Sequence, residues 1–288
     1  MELVGNPVDE VRLRVGASLR RLLGGEAEPR ERSLEGGLFA PDSATWEVHG
    51  DASMLVGGIR ALLLQTLHPP TMAGVANHSE YRSDPLGRLR RTAAFVGVTT
   101  FGDIDEAESA IAVVRHIHDR IEGTAPDGTP YRANDPHLLT WVHITEVDSF
   151  LEAKLRYGAG RLGQTRHRNA RADEYVREMA VIASRLGVTD PPTSVRELHL
   201  ALDGYRPELG LNGQSREALR FLAAPPLPIV MRAPYAVLLA GAVSSLPRWA
   251  RRTMWLPRLP VTETFAVRPA ALTLTRLLGW SLAPATAP

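Results

Sequence analysis

Apolar residues recur at intervals of three and four along almost the whole chain, and no run of alternating, β-branched residues bounded by turn signals interrupts them. That period lines up side chains on one face of a helix, so the pattern predicts an all-α fold built as a single large multi-helix domain over residues 1–288. Helices are expected near 8–23, 53–67, 85–99, 103–122, 135–157, 171–187, 194–204, 214–223, 232–245 and 262–278. Ser53 is placed to cap the second of these. His68-Pro69-Pro70 is expected to stop it, because proline lacks an amide donor and restricts the residue before it. Asp103, with Glu106 three residues on, has the form of a capping box. Gly123 is expected to end that helix, Thr124 to Ala133 reads as a turn-rich excursion, and Asn134-Asp135-Pro136 restarts the chain. The short segment Thr189-Asp190-Pro191-Pro192-Thr193 separates a core of about 46–187 from a C-terminal helical layer of about 194–280.

The same periodicity picks out candidate chemistry. On the helix expected over 103–122, Ala107, Ile111, Val114, His118 and Ile121 follow one another at helical spacing, which directs His118 toward the core. His116 lies about 200° around the helix and faces elsewhere. A neutral imidazole on an apolar stripe suits either a hydrogen-bonded core histidine or a ligand to metal, and histidine is a common proximal ligand of haem. Arg115, one turn before His118, has a planar fork able to pair with a propionate, or else is a solvated helix charge. On the preceding helix Arg88, Arg91, Thr92 and Phe95 share a face, which fits the polar rim of a pocket or an ordinary charged surface. His143 shares a face with Leu139, Glu146 and Phe150, as a catalytic pair with Glu146, a residue beside a cofactor, or a buried structural pair.

Composition narrows the partners. Lys+Arg and Asp+Glu total 33 and 32, so no global field favours nucleic acid or an acidic membrane surface, and a small apolar ligand fits better. Lys154 is the one lysine, which confines any Schiff-base chemistry to it. Without cysteine there is no disulfide, thiolate metal site or thiol nucleophile. The N-terminal residues lack a secretory pattern, and Pro228, Arg232 and Pro234 interrupt the longest apolar stretch, so the expectation is a cytoplasmic protein without a transmembrane segment. Gly158, Gly160 and Gly163 match Gly-x-Gly-x-x-Gly but follow an amphipathic helix instead of a strand, which argues against a dinucleotide site. The basic stretch from Arg161 to Arg171 has no interleaved aromatics. No Glu-x-x-His pair supports a di-iron bundle.

An ordered series of motifs resembles the catalytic domain shared by latex-clearing rubber oxygenases and the MpaB oxygenase. It comprises Leu62-Leu63-Leu64-Gln65 through His68-Pro69, Asp84-Pro85 with Arg88-Leu89 and Arg91-Thr92, and Phe101-Gly102. It continues in Val114 to His118 with Gly123, Tyr131 to Pro136, and Trp141-Val142-His143. The resemblance runs from Trp46 to about Gly187 and implies a buried haem pocket between core helices, with haem b as cofactor and His118 as the iron ligand. It places Arg115 on the same side, and Arg88, Arg91 and Thr92 on the distal side, where the family has Arg-x-x-Lys-Thr. Arg91 replaces the family lysine, and a guanidinium stays protonated and does not readily ligate iron. No acidic residue matches the rubber enzymes' glutamate near Met72; His68, His78 and Glu80 lie close in sequence. The resemblance therefore implies an oxidoreductase using dioxygen or peroxide on a small apolar organic substrate other than polyisoprene. A non-catalytic haem or apolar-ligand binder is the alternative, and His143 is the next candidate ligand. Trp249, Trp255 and nearby apolar residues suit either closure of the pocket or a homodimer surface.

Overall fold

The computed structural model describes residues 36–160, 162 and 168–282, so the helix expected over 8–23, together with Gly163 and most of the basic stretch, lies outside the described residues. The described chain is helical apart from one short hairpin, as the periodicity predicts. It opens with α1 (Ala44–His49), whose N-cap Ser43 accepts a hydrogen bond from the Trp46 amide, and α2 (Met54–Gln65). Ser53 precedes α2, but its side chain makes no cap bond and its hydroxyl is buried without a partner.

The proline pair does not only stop α2. It opens α3 (Pro69–His78), because a proline in the first turn gives up an amide that would have no helical partner anyway, and His68 serves as N-cap. Next come α4 (Pro85–Phe101) and α5 (Ile104–His118), joined at Gly102-Asp103, where Asp103 accepts from the Glu106 amide as expected. α5 ends at His118, four residues short of expectation. The chain then forms an antiparallel hairpin of β1 (Glu122–Thr124) and β2 (Pro130–Arg132), with Gly123 opposite Tyr131. Gly123 ends no helix here. It admits the Tyr131 ring, since a β-carbon would lie 2.6 Å from the tyrosine hydroxyl.

The central element is α6 (Pro136–Tyr157), capped by Asp135 and buried along most of its length. On one side it meets α1, α7 (Arg168–Leu186) and α8 (Val195–Gly204) through Trp141, Ile144, Val147, Tyr175 and Leu198. At its C-terminal end Ala153 and Tyr157 enter a second cluster with Val56 and Leu64 of α2, with Leu238 and Ala242 of α10 (Ile229–Ser245), and with Ala271 of α12 (Arg268–Leu282). Between these lie α9 (Gly213–Ala223) and α11 (Arg248–Thr253). By contrast, α4 buries only Thr99 and Thr100, and α5 only Ala107 and Ile111. The α4–α5 pair therefore stands at the margin of the core.

Candidate functional site

The predicted distal and proximal residues fall on α4 and α5, two neighbouring helices. His118, the last residue of α5, is half-buried, and its Nδ1 is buried with no hydrogen-bond partner. Burial lowers its pKa, against the opposing pull of the Asp119 carboxylate, so the ring favours the neutral form that has a free lone pair. Arg115 is exposed one turn earlier. On α4, Arg88 is half-buried, and burial lowers its pKa against the attraction of Tyr81. Arg91 is exposed and ion-paired with Asp84 at 3.5 Å and Glu80 at 3.7 Å. Thr92 donates its hydroxyl hydrogen to the Arg88 carbonyl oxygen at 3.2 Å. Arg91 to Ala94 are exposed in succession, and Leu89, Val113 and Ile117 leave large apolar side chains uncovered on the same two helices.

His143 sits in the interior of α6 instead. Its Nε2 is buried and unpartnered, and burial alone pushes its pKa down to about 4. Glu146 lies one turn on, where burial raises its carboxyl to about 7, and no hydrogen bond joins the two. Glu146 also helps to raise the pKa of Tyr175, second to burial. The Tyr175 hydroxyl meets His49 Nε2 at 3.0 Å, and His49 Nδ1 meets Thr100 Oγ1 at 2.7 Å, a buried polar chain from α7 through α1 to α4. A cleft of about 730 Å³ lies elsewhere, lined by Asp148, Arg156, His199, Ser245 and Arg251 among others, and none of the six predicted residues borders it.

A third constellation was not predicted from sequence. His68, His137 and Glu208 bring one ligand atom each to within 4.8 Å of one another. His137 Nε2 is 2.7 Å and His68 Nε2 3.4 Å from Glu208 Oε2. His68 is buried, with its ring against Trp141 and Tyr205, while His137 stacks on Tyr205 at 4.5 Å and is about half exposed. Burial lowers the pKa of His68 despite the hydrogen bond to Glu208. Burial also works to raise Glu208, but the bonds and charges of His137 and His68 outweigh it and leave the carboxyl lowered. The three residues come from the head of α3, the first turn of α6 and the 3₁₀ turn Arg206–Glu208, so no local spacing could reveal them.

The described chain is an all-α domain that presents histidines from both its central and its marginal helices. The model of the family described as ER-bound oxygenase mpaB/B'/rubber oxygenase, catalytic domain, matches residues 46–280, and the chain belongs to that family. The match continues past Gly187 into the C-terminal helices. No curated protein and no solved structure is matched by the chain.

Proposed function

We propose that this oxygenase-family chain is a haem b enzyme that oxidises a small apolar organic substrate with dioxygen or peroxide. The observation that carries the reading is His118: an imidazole on the apolar stripe of α5, held neutral by burial, with a buried ring nitrogen that no protein group satisfies. The neighbouring features fit a flat apolar macrocycle with acidic edges. Leu89, Val113 and Ile117 offer uncovered apolar surface, and Arg115 is free in solvent to meet a propionate. Haem, when bound, supplies the oxidative chemistry.

The chain's own residues hold and orient. His118 would ligate the iron, and Arg115 would pair with the cofactor's acidic edge. Arg88 and Thr92 line the opposite wall. Arg91, braced by Asp84 and Glu80, presents a fixed donor where the family has lysine. As a protonated guanidinium it would donate hydrogen bonds to a bound group and would not serve as a ligand to iron. The uncovered Leu89, Val113 and Ile117 would offer an apolar substrate its contacts.

Haem reconstitution followed by a visible spectrum tests the assignment. The expected result is a Soret band in wild type and in His143→Ala, lost in His118→Ala. Retention in His118→Ala with loss in His143→Ala overturns it. Oxygen or peroxide consumption with a panel of terpenoid and fatty substrates then separates an enzyme from a haem binder.

A further inference from the structure

We infer that His68, His137 and Glu208 form a site for a divalent first-row transition-metal ion, separate from the residues assigned to haem on α4 and α5. Two imidazoles and one carboxylate are the donors that Zn²⁺ and non-haem Fe²⁺ take, with the remaining positions left to water or substrate.

Hydrogen bonding around the cluster favours a cation. Tyr205 donates its one hydroxyl proton to the His137 carbonyl oxygen at 2.7 Å, so toward His137 Nδ1, 3.2 Å away, its oxygen can only accept. That places a proton on Nδ1 and leaves the Nε2 lone pair facing a carboxylate oxygen at 2.7 Å. Two acceptors at that distance require something positive between them, either a second ring proton or a metal ion. His68 also turns Nε2 toward the same Glu208 oxygen. Its Nδ1 accepts from the Thr71 amide at 3.4 Å, as N-cap of α3, and lies 2.8 Å from Thr71 Oγ1. Metal binding therefore moves the ring proton from Nε2 to Nδ1, where it donates to the Thr71 hydroxyl and the long amide bond is given up. The arrangement, in which each ligand imidazole has its other nitrogen held by a neighbour, is the outer support that metal-binding histidines carry.

The two separations from Glu208 are near those of a bound ion, and the three ligand atoms together lie within 4.8 Å of one another. Ligand distances of about 2.0–2.2 Å in a tetrahedral site put ligand atoms roughly 3.3 Å from one another. The His68–Glu208 separation is already 3.4 Å. The His137–Glu208 pair, at 2.7 Å, has to open by about half an ångström, which the nearly half-exposed Glu208 side chain can supply while Tyr205 holds the His137 ring. The frame is fixed, because the Gly210 amide donates to the Leu67 carbonyl at 2.8 Å and ties the Glu208 turn to the residue before His68. The open side at His137 and Glu208 leaves room for a water or a substrate atom.

The test is calorimetric titration of the chelator-treated full chain with Zn²⁺, together with metal analysis after removal of excess ion. Wild type is expected to retain one Zn²⁺ per chain and to melt at a higher temperature with it. Glu208→Gln and His137→Gln, both at half-exposed positions that leave the fold intact, are expected to lose retention. Thr71→Val is expected to weaken affinity about tenfold. His78→Gln and His118→Ala should bind as wild type, which keeps this result independent of the haem assignment. No retention by wild type, or equal retention by Glu208→Gln and His137→Gln, overturns the site.

Discussion

Burial holds three side chains at or beside α6 away from the charge they would carry in water: His49 with a pKa of about 3, His143 at about 4 and Glu146 at about 7. The histidines have folded values below their ordinary 6.5, so the unfolded chain takes up protons first and stability is lost as pH falls from 6.5 toward those values. Glu146 works in the opposite sense. Its folded value lies above the ordinary 4.5, so it contributes stability below that pH and loses it as pH rises to about 7. Between pH 4.5 and 6.5 two of these groups oppose the third, and the three together should cost about 1.4 kcal/mol per pH unit on acidification, the equivalent of one net proton. In Glu146→Gln the opposing group is gone. The slope should steepen by about 1.4 kcal/mol per pH unit, and the variant should exceed wild type in stability above pH 7. Urea unfolding at a series of pH values measures both, and an unchanged slope would show that Glu146 is ionised in the folded protein.

Among the elements, α2 and α6 approach closely enough for a single hydrogen to matter. A β-carbon on Gly57 would lie 2.8 Å from Phe150 Cδ1, 3.0 Å from the Ser149 carbonyl oxygen and 3.1 Å from Phe150 Cα, two of them backbone atoms that cannot swing away. The next residue, Gly58, has nothing within 4 Å. Gly58→Ala should therefore gain roughly the 0.5–1 kcal/mol of helix propensity. Gly57→Ala meets the same propensity gain with a steric cost of about 1–3 kcal/mol, and should be net destabilising. Equal effects in thermal or urea melts would mean that the two helices can separate freely. The sequence carried the helices well, because a period of three to four survives in any amphipathic segment. It misled at Pro69-Pro70, where a stop signal was also a start, and at Glu122 to Arg132, where strands of three residues are too short to display alternation. His118 was visible through its stripe, although its place at a helix end leaves it half-buried. Nothing local links His68, His137 and Glu208, which only the tertiary fold brings together.

At the scale of the whole molecule, a few buried polar contacts join the C-terminal helices to the central pair. Arg60 of α2 ion-pairs with Asp148 of α6 at 2.7 Å, donates to Ser149 Oγ at 2.7 Å, and reaches the Ser245 carbonyl at the end of α10 at 3.2 Å. Tyr157 donates to the Gly241 carbonyl, and Thr275 of α12 donates to the Tyr157 carbonyl, both at 2.9 Å. Helices bound in this way should unfold together. Tryptophan fluorescence, drawing on Trp46 and Trp141 in one cluster and on Trp249, Trp255 and Trp280 in the C-terminal region, should follow the same urea transition as far-ultraviolet circular dichroism. Separate transitions would make the C-terminal layer a second domain. Arg60→Met strands the Asp148 carboxylate in the interior and should cost about 3–5 kcal/mol, most of it recovered when Asp148→Leu is added. The loss should itself depend on pH. His199 Nε2 lies 3.4 Å from the other Asp148 oxygen, and the hydrogen bond to Asp148 raises the His199 pKa. Toward acid the imidazolium can neutralise part of the stranded charge, whereas at pH 8 the neutral ring cannot, so the cost of Arg60→Met should grow as pH rises. A cost independent of pH would mean that neither His199 nor Asp148 changes its protonation when Arg60 is removed.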